Sequence, residues 1–551
     1  MIETKGKRIM NKRFFFSLLA LTIGISGFAC TNLIVGKKAS ADGSVMITYS
    51  ADDYGSYGYL HFYPAADHQP GETRSLYDYE TNNYLGEIPE VAHTYNVIGQ
   101  INEYQLSIME TTFGGREELT DTTGLLDYGS LMYVTLQRAR TAREAIDVWT
   151  KLVEDYGYRS EGESITLADP NEVWVLEMIG KGPGRKGAVW VARRLPDDCI
   201  TGHANQARIT RFPLKDPKNC LYSKDVISFA REKGYFNGKD KEFSFRDAYA
   251  PNDFSARRIC EARVWTFFNR FCAGMDKYLP YVMGIEEQTE EMPWCIKPDT
   301  LVSLNALKQA MRDHFEGTPM DMTSDIGAGP YEAPYRPTPL YFEVDGKKYF
   351  NERPISTQQT AVTYLAQLRS WMPNHVGGVL WCGFDDANMV AYSPVYCCST
   401  LCPEPYAEKT ADPFTFSMKS AYWLANALSN FVYPRYCQLF PELQAARDRL
   451  DADFETQQQH VEAEALGMTQ AEAVSHLTGY TYRASGLMMD RWRQLFERLI
   501  VKYNDMAIKP EKDGQYLKTA GGDHVPLKRV GYPERYRRAI IEKTGDRYLK
   551  P

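Results

Sequence analysis

The sequence predicts an α+β fold: two antiparallel sheets packed together, helices outside them, and a helical C-terminal region. Three observations carry this expectation. Strand patterns come in hairpins between residues 31 and 204, without the strand–helix alternation that builds a parallel βαβ sheet. Two adjacent helical patterns interrupt them once, at residues 131–140 and 142–156. From about residue 415 the apolar period turns helical.

Composition agrees with a globular chain. Of 551 residues, 44% are hydrophobic, 24% charged and 13% aromatic. A chain of this length buries a large core without needing a metal or a disulfide. The formal charge of −8 lacks the basic face that phosphate binding requires, so no nucleic-acid partner is expected.

The elements follow in order. Residues 1–29 read as an export leader. Lys5, Lys7, Arg8, Lys12 and Arg13 precede the apolar run Phe14 to Ile25, and Gly27 and Ala29 form a small-x-small cleavage site. Met10 offers an alternative start. The run is too short for a mature membrane span, and no other segment is apolar enough for one. Removing the leader takes away five positive charges and one negative, moving the formal charge from −8 to −12. Cleavage after Ala29 would make Cys30 the first residue, in a periplasmic or extracellular protein. The competing reading is a lipoprotein acylated at Cys30, but Gly27 and Phe28 stand where lipoprotein signals place Leu and a small residue.

Residues 31–37 and 45–49 predict a hairpin around the turn Ala41-Asp42-Gly43-Ser44. Residues 55–90, rich in Gly, Pro, Asp and Tyr, read as loops. Strands are predicted at 95–100 and 106–111, then the two helices. Thr141 and Glu144 form a capping box for the second, and Ala145, Trp149, Leu152, Val153 and Tyr156 share one face. Strands follow at 164–168, 173–178, 188–191 and 199–204. Pro-rich stretches near 251, 318–339 and 403–413 mark excursions. Residues 443–466 and 487–503 are amphipathic, with Met488, Trp492, Leu495, Leu499 and Tyr503 on a stripe that reads as core packing. The division is 1–29 leader, 30–414 main domain and 415–551 helical region packed on it.

Several patterns mislead. Gly182-Pro183-Gly184-Arg185-Lys186-Gly187 matches GxGxxG, but it precedes a strand and holds a Pro, so it reads as a hairpin loop. HExxH, GxSxG and P-loop motifs are absent, and Asp385-Asp386 reads as a solvated turn rather than a metal site. The eleven cysteines include no CxxC pair, which argues against a zinc ribbon. Their number is odd, and their pairing cannot be read. No metal or cofactor is expected.

Cys30 carries the chemistry. A thiol nucleophile needs a base. At a chain terminus the residue's own α-amine serves: its pKa near 7.7–8 lies close to that of a thiol, so proton transfer between them costs little. No His is required, only exposure of the amine by cleavage.

The segment from Cys30 through Thr31-Asn32-Leu33-Ile34-Val35-Gly36 to Asp42-Gly43-Ser44 resembles the N-terminus of the secernin-like bacterial cysteine dipeptidases. These are N-terminal-nucleophile hydrolases distantly similar to penicillin V acylase and bile salt hydrolase. Asn102-Glu103, Glu110-Thr111-Thr112, residues 136–145, Tyr156-Gly157-Tyr158, Glu161-Gly162-Glu163-Ser164, His203-Ala204-Asn205-Gln206, Arg263-Val264-Trp265 and Tyr433-Pro434-Arg435-Tyr436 extend the match along the chain in order.

The resemblance implies a four-layer αββα sandwich and a set of roles. Cys30 is the nucleophile, and its amine is base and later acid. Asp52 holds the amine, with Asp53 as the neighbouring alternative. Asn205 contributes to an oxyanion hole. Arg263, with Arg258 as rival, is the arginine near the nucleophile. Relatives carry Arg three residues before the family aspartate, where this chain has Tyr49, a hydrogen-bonding group without fixed charge. For a free dipeptide, Glu110, followed by Thr111, is the candidate for the ammonium, and Arg116 or Arg208 for the carboxylate. The leading expectation is an exported cysteine dipeptidase, with a homo-oligomer possible. An amidase acting on N-acyl amino acids, bile-salt or penicillin-type amides is the alternative on the same machinery. A non-catalytic surface lipoprotein is the alternative without it.

Overall fold

The computed structural model describes residues 30–284 and 289–551. The leader expected at 1–29 lies outside them. Ten strands carry the fold: β1 Asn32–Val35, β2 Val45–Asp52, β3 Ser107–Gly114, β4 Gly162–Ala168, β5 Val173–Gly180, β6 Ala188–Arg194, β7 Ile200–His203, β8 Thr360–Leu368, β9 Gly378–Phe384 and β10 Ser393–Tyr396. The long helices are α1 Tyr128–Leu136, α2 Ala142–Tyr156, α3 Ala262–Phe271, α4 Ala421–Val432, α5 Tyr436–Ala465 and α6 Gln470–Lys502.

One sheet has six strands in the order β7-β1-β2-β8-β9-β10. The other has eight: Cys220–Tyr222, β6, β5, β4, β3, Ile101–Asn102, Val97–Ile98 and Phe62–Tyr63. Every pairing in both is antiparallel. The sheets touch where β1 and β2 face β3 and β4. On the eight-stranded sheet, side chains alternate between two cores. Trp174, Leu176 and Met178 face α1 and α2, while Val173, Val175 and Ile179 join the core shared with the other sheet. Helices α4, α5 and α6 pack on β9 and β10 of the six-stranded sheet. Arg369, just after β8, is buried and forks onto Glu462 of α5 at 2.7 and 2.5 Å, tying sheet to helix. The molecule is thus an α+β fold with a helical C-terminal region.

The predicted hairpin is present, with Ile34 opposite Ile47. Helix α2 has its predicted bounds. Thr141 accepts from the Glu144 N–H, but Glu144 reaches back to Arg140 N–H rather than to Thr141. Helix α1 starts three residues earlier than predicted because Asp127 caps it, accepting from Ser130 N at 2.7 Å. The GxGxxG stretch is the loop between β5 and β6, and a Cβ on Gly182 would meet the Glu118 carbonyl at 2.7 Å.

Several readings are corrected. Asp385-Asp386 is not solvated: both are fully buried, Asp385 accepting from the Asn426 amide and Asp386 from the Asn388 N–H. Residues 55–90 are not all loop: Thr73–Tyr77 and Tyr84–Pro89 form a hairpin of their own, whose polar, exposed strands lack an apolar alternation. Helix α5 runs back to Tyr436 through Pro441, and α6 back to Gln470, capped by Thr469. The start of α5 was hidden by Pro441, which reads as a helix boundary, and that of α6 by small and polar residues that interrupt the apolar stripe. Strands β8 to β10 carry no alternation to read, because both faces are covered and every residue is buried.

Candidate active site

Cys30 precedes β1 and Asp52 closes β2. Antiparallel pairing of the two strands, with Thr31 bridged to Ser50, brings those ends together. Cys30 is 6% exposed. Its sulfur lies 3.9 Å from the Tyr49 hydroxyl and 3.9 Å from Glu110 Oε1, and the Asp52 backbone N–H points at it. Burial above all, then the charges of Glu110 and Asp52, push the thiol pKa well up. These surroundings favour the thiol over the thiolate.

Asp52 is buried and fully partnered. Arg353 donates to its Oδ2 at 2.5 Å, Ser50 to the same oxygen at 3.0 Å and Thr360 to Oδ1 at 2.6 Å. Arg353 comes from the loop before β8 and carries no sequence motif, so sequence reasoning missed it. Asp53, the alternative, is half-buried and takes a hydrogen bond from Ser56 instead.

Arg263 sits in the first turn of α3, just after a wider π-helical turn over Ala256–Glu261. Such turns recur at functional sites. The guanidinium is completely buried and joins both ends of the site. It donates to the Cys30 carbonyl at 2.8 Å, Thr31 Oγ1 at 2.9 Å, the Ala204 carbonyl at 2.7 Å and Asn205 Oδ1 at 3.0 Å. It holds the backbone of Cys30 rather than its sulfur. The rival Arg258 is elsewhere, paired with Glu352. Asn205 adopts a left-handed backbone (φ 66°), a conformation Asn tolerates. One N–H of its amide donates to the Thr112 carbonyl at 2.7 Å.

The family model for peptidase family C69 matches residues 29–449, beginning one residue before Cys30. The chain belongs to peptidase family C69. A probable dipeptidase of Salmonella dublin is 28% identical over 407 residues, covering 70% of this chain and 85% of its own. A probable dipeptidase of Latilactobacillus sakei is 25% identical over 498 residues, covering 86% and 95%. Dipeptidase A of Lactobacillus helveticus is 26% identical over 419 residues, covering 72% and 80%.

The remaining expected residues of this C69 chain divide between the site and the framework. Glu110 is at the site: Tyr49 donates to its Oε1 at 2.7 Å, so the residue in place of the family Arg ties β2 to β3. Thr111 is buried in the framework, its hydroxyl bonded to His203 Nδ1 at 2.7 Å, while Thr166 takes the other ring nitrogen at 2.7 Å. Burial drives the His203 pKa down to about 3, so this bridge between the sheets is a neutral imidazole. Arg208 is also framework. Its guanidinium is buried on Glu261 at 2.8 Å and on the carbonyls of Gly202, Pro293 and Trp294. Arg116 lies over the Tyr235 ring and donates to the Ala248 carbonyl. Neither is placed to meet a ligand beside Cys30.

A cleft of about 260 Å³ adjoins the site through Thr112, whose carbonyl Asn205 holds, and is lined also by Tyr128, Glu163, Tyr79, Glu80 and Arg159; Cys30 and Glu110 lie behind this lining. Thr112 and Glu163 face each other across β3 and β4, and the Thr112 hydroxyl donates to Glu163 Oε1 at 2.6 Å. Tyr79 comes from the 73–89 hairpin, and its ring packs on Gly129 in the first turn of α1, where a Cβ would stand 2.2 Å from it. Sequence reasoning missed Arg159 and Tyr79. Glu163 lay in a quoted segment, but only the pairing of β3 with β4 shows what it faces.

Proposed function

We propose that this chain is an exported cysteine dipeptidase of the N-terminal-nucleophile type, with the αββα sandwich as its scaffold. The observation that carries this reading is the placement of Cys30. Its thiol sits against Glu110, Tyr49 and the Asp52 backbone, and its carbonyl is fixed by Arg263. The family and the dipeptidase names of its relatives support it.

After removal of the leader, the Cys30 amine takes the thiol proton as sulfur attacks the scissile carbonyl, and then gives it to the leaving amine. Because the resting thiol is neutral, deprotonation accompanies attack. Asp52, held by Arg353, stabilises the ammonium form that results. The second N–H of the Asn205 amide faces the developing oxyanion. Replacing Asn205 with Gly, which keeps the left-handed backbone unstrained, should lower kcat/KM about 10²- to 10³-fold, as loss of one such donor does elsewhere. Steady-state kinetics on one free dipeptide checks this.

A dipeptide presents two opposite charges at fixed spacing. Glu110 lies beside the nucleophile for the ammonium. Arg159 is the cation lining the cleft for the carboxylate, half-engaged by Asp78 at 3.4 Å. Arg159→Gln should raise KM for free dipeptides about 10- to 100-fold, the worth of a charge-assisted bond, and leave C-terminal amides nearly unaffected. A panel of free dipeptides, N-acyl amino acids, conjugated bile acids and penicillin V tests the reading. Turnover confined to the latter three would replace it with the amidase alternative.

A further inference from the structure

Two carboxylates lie between the cleft and the nucleophile: Glu163 lines the cleft, and Glu110 is beside the Cys30 sulfur. Glu110 and Glu163 are 1% and 0% exposed. In each, one oxygen is held by a hydroxyl, from Tyr49 and Thr112 respectively, and the other is buried without a donor. In the register of β3 with β4, Thr112 is opposite Glu163 and Glu110 stands two residues along β3 from Thr112, so the two carboxylates are diagonal neighbours on one face of the sheet. Neighbouring buried carboxylates with so few donors cannot both stay charged, so the empty site keeps at least one proton on the pair. A buried pair of this kind in a native structure calls for an explanation.

We propose that Glu163 completes with Glu110 a proton-sharing seat for the free α-ammonium of the substrate, which displaces the shared proton to solvent as it binds. The inference rests on the dipeptidase reading above. Glu163 would be a specificity-determining residue, touching the substrate but not the scissile bond. Geometry favours it. In an amino-acid residue the amine nitrogen and carbonyl carbon are about 2.5 Å apart. An ammonium bonded to Glu110, whose Oε1 is 3.9 Å from Cys30 Sγ, therefore carries its carbonyl to the sulfur. An N-acylated substrate brings no charge to exchange for the proton.

The surroundings suit a cation. Cys30 and Tyr49 face the pair from the six-stranded sheet, Tyr128 from α1 and Glu80 from the hairpin tip. Glu161 and Tyr158 face it from the segment before β4. All are acids or neutral hydroxyls and thiol. Arg159, across the cleft, is engaged with Asp78. Burial, chiefly, raises the Glu110 pKa to about 7 and Glu163 well up, so the proton is present near neutrality and is lost as pH rises. Glu110 is also the largest charge holding the thiol protonated. Exchange of one proton for one ammonium leaves the net charge of the seat unchanged, so the seat selects the free amine without altering the field at the thiol.

The test uses processed protein carrying Cys30→Ala, which lacks the nucleophile, titrated calorimetrically at pH 6.5 with Ala-Ala in two buffers of different ionisation enthalpy. Ala-Ala should release close to one proton, and less at pH 8. N-acetyl-Ala-Ala should release none. Adding Glu163→Gln should abolish most of the release and weaken Ala-Ala binding at least tenfold, with the N-acetyl peptide unchanged. Glu110→Gln should do the same, and the double variant should lose little more than either alone, because one proton is shared. Unchanged proton release in Glu163→Gln, or equal weakening for both peptides, would overturn the proposal and leave the dipeptidase reading standing if otherwise native enzyme still cleaves Ala-Ala. Failure of that enzyme to cleave any free dipeptide would overturn both.

Discussion

Replacing Cys30 with Ala should reduce dipeptide hydrolysis by at least about 10⁴-fold while leaving the fold intact, as loss of the nucleophile does in hydrolases built around one covalent intermediate. The side chain is buried but small, and its sulfur makes only weak polar contacts, with Tyr49 and Glu110 at 3.9 Å and with the Asp52 backbone N–H, so little stability is lost with it. Residual activity should not titrate with thiol reagents. The mechanism makes a second demand that an ordinary cysteine hydrolase does not. Here the base is the amine of the same residue, so a chain that retains residue 29 should be as inactive as Cys30→Ala, with the thiol in place. Its nitrogen is then an amide, which takes up no proton near neutrality. Paired measurements on the processed chain and on one blocked at the cleavage site decide this. Full activity in the blocked chain would exclude the amine as base. Intact mass of the active protein, starting at unmodified Cys30, completes the test, because an acylated Cys30 would return the lipoprotein alternative.

What was legible in the sequence follows from where each signal resides. Cys30, Asp52, Asn205 and Arg263 were singled out because the resemblance marked them at local motifs, and the structure gathers all four at one end of the β1–β2 hairpin. The hairpin and α2 were readable because one face is apolar and local turn or cap chemistry marks their ends. Strands β8 and β9 were not, because burial on both faces removes the alternation. Arg208 misled for a related reason: an Arg in a family segment looks the same whether it awaits a ligand or is spent on carbonyls and Glu261. Arg353, Arg159 and Glu163 depend on contacts made across long stretches of chain or between strands, which no local pattern encodes.

The second large effect is expected at Arg353. Asp52 is 1% exposed and Arg353 2%, and they pair at 2.5 Å in a part of the core shared with Arg263. Truncating the arginine to Ala would leave the carboxylate buried on the Ser50 and Thr360 hydroxyls without its ion-pair partner. Breaking a buried ion pair from one side costs about 3–5 kcal/mol, far more than the pair contributes when intact. Arg353→Ala should therefore lower stability by about that amount, measured by urea unfolding of the processed protein. The double variant Asp52→Asn, Arg353→Met removes both charges and should recover most of the loss, because replacing a buried pair with neutral groups of similar size is often neutral. Activity separates the two roles of Asp52. If it only filled space, the double variant would regain turnover along with stability. If it positions and charges the Cys30 amine, the double variant should be stable and still slow, with kcat reduced and KM for dipeptides little changed, because neither residue lines the cleft that takes the substrate.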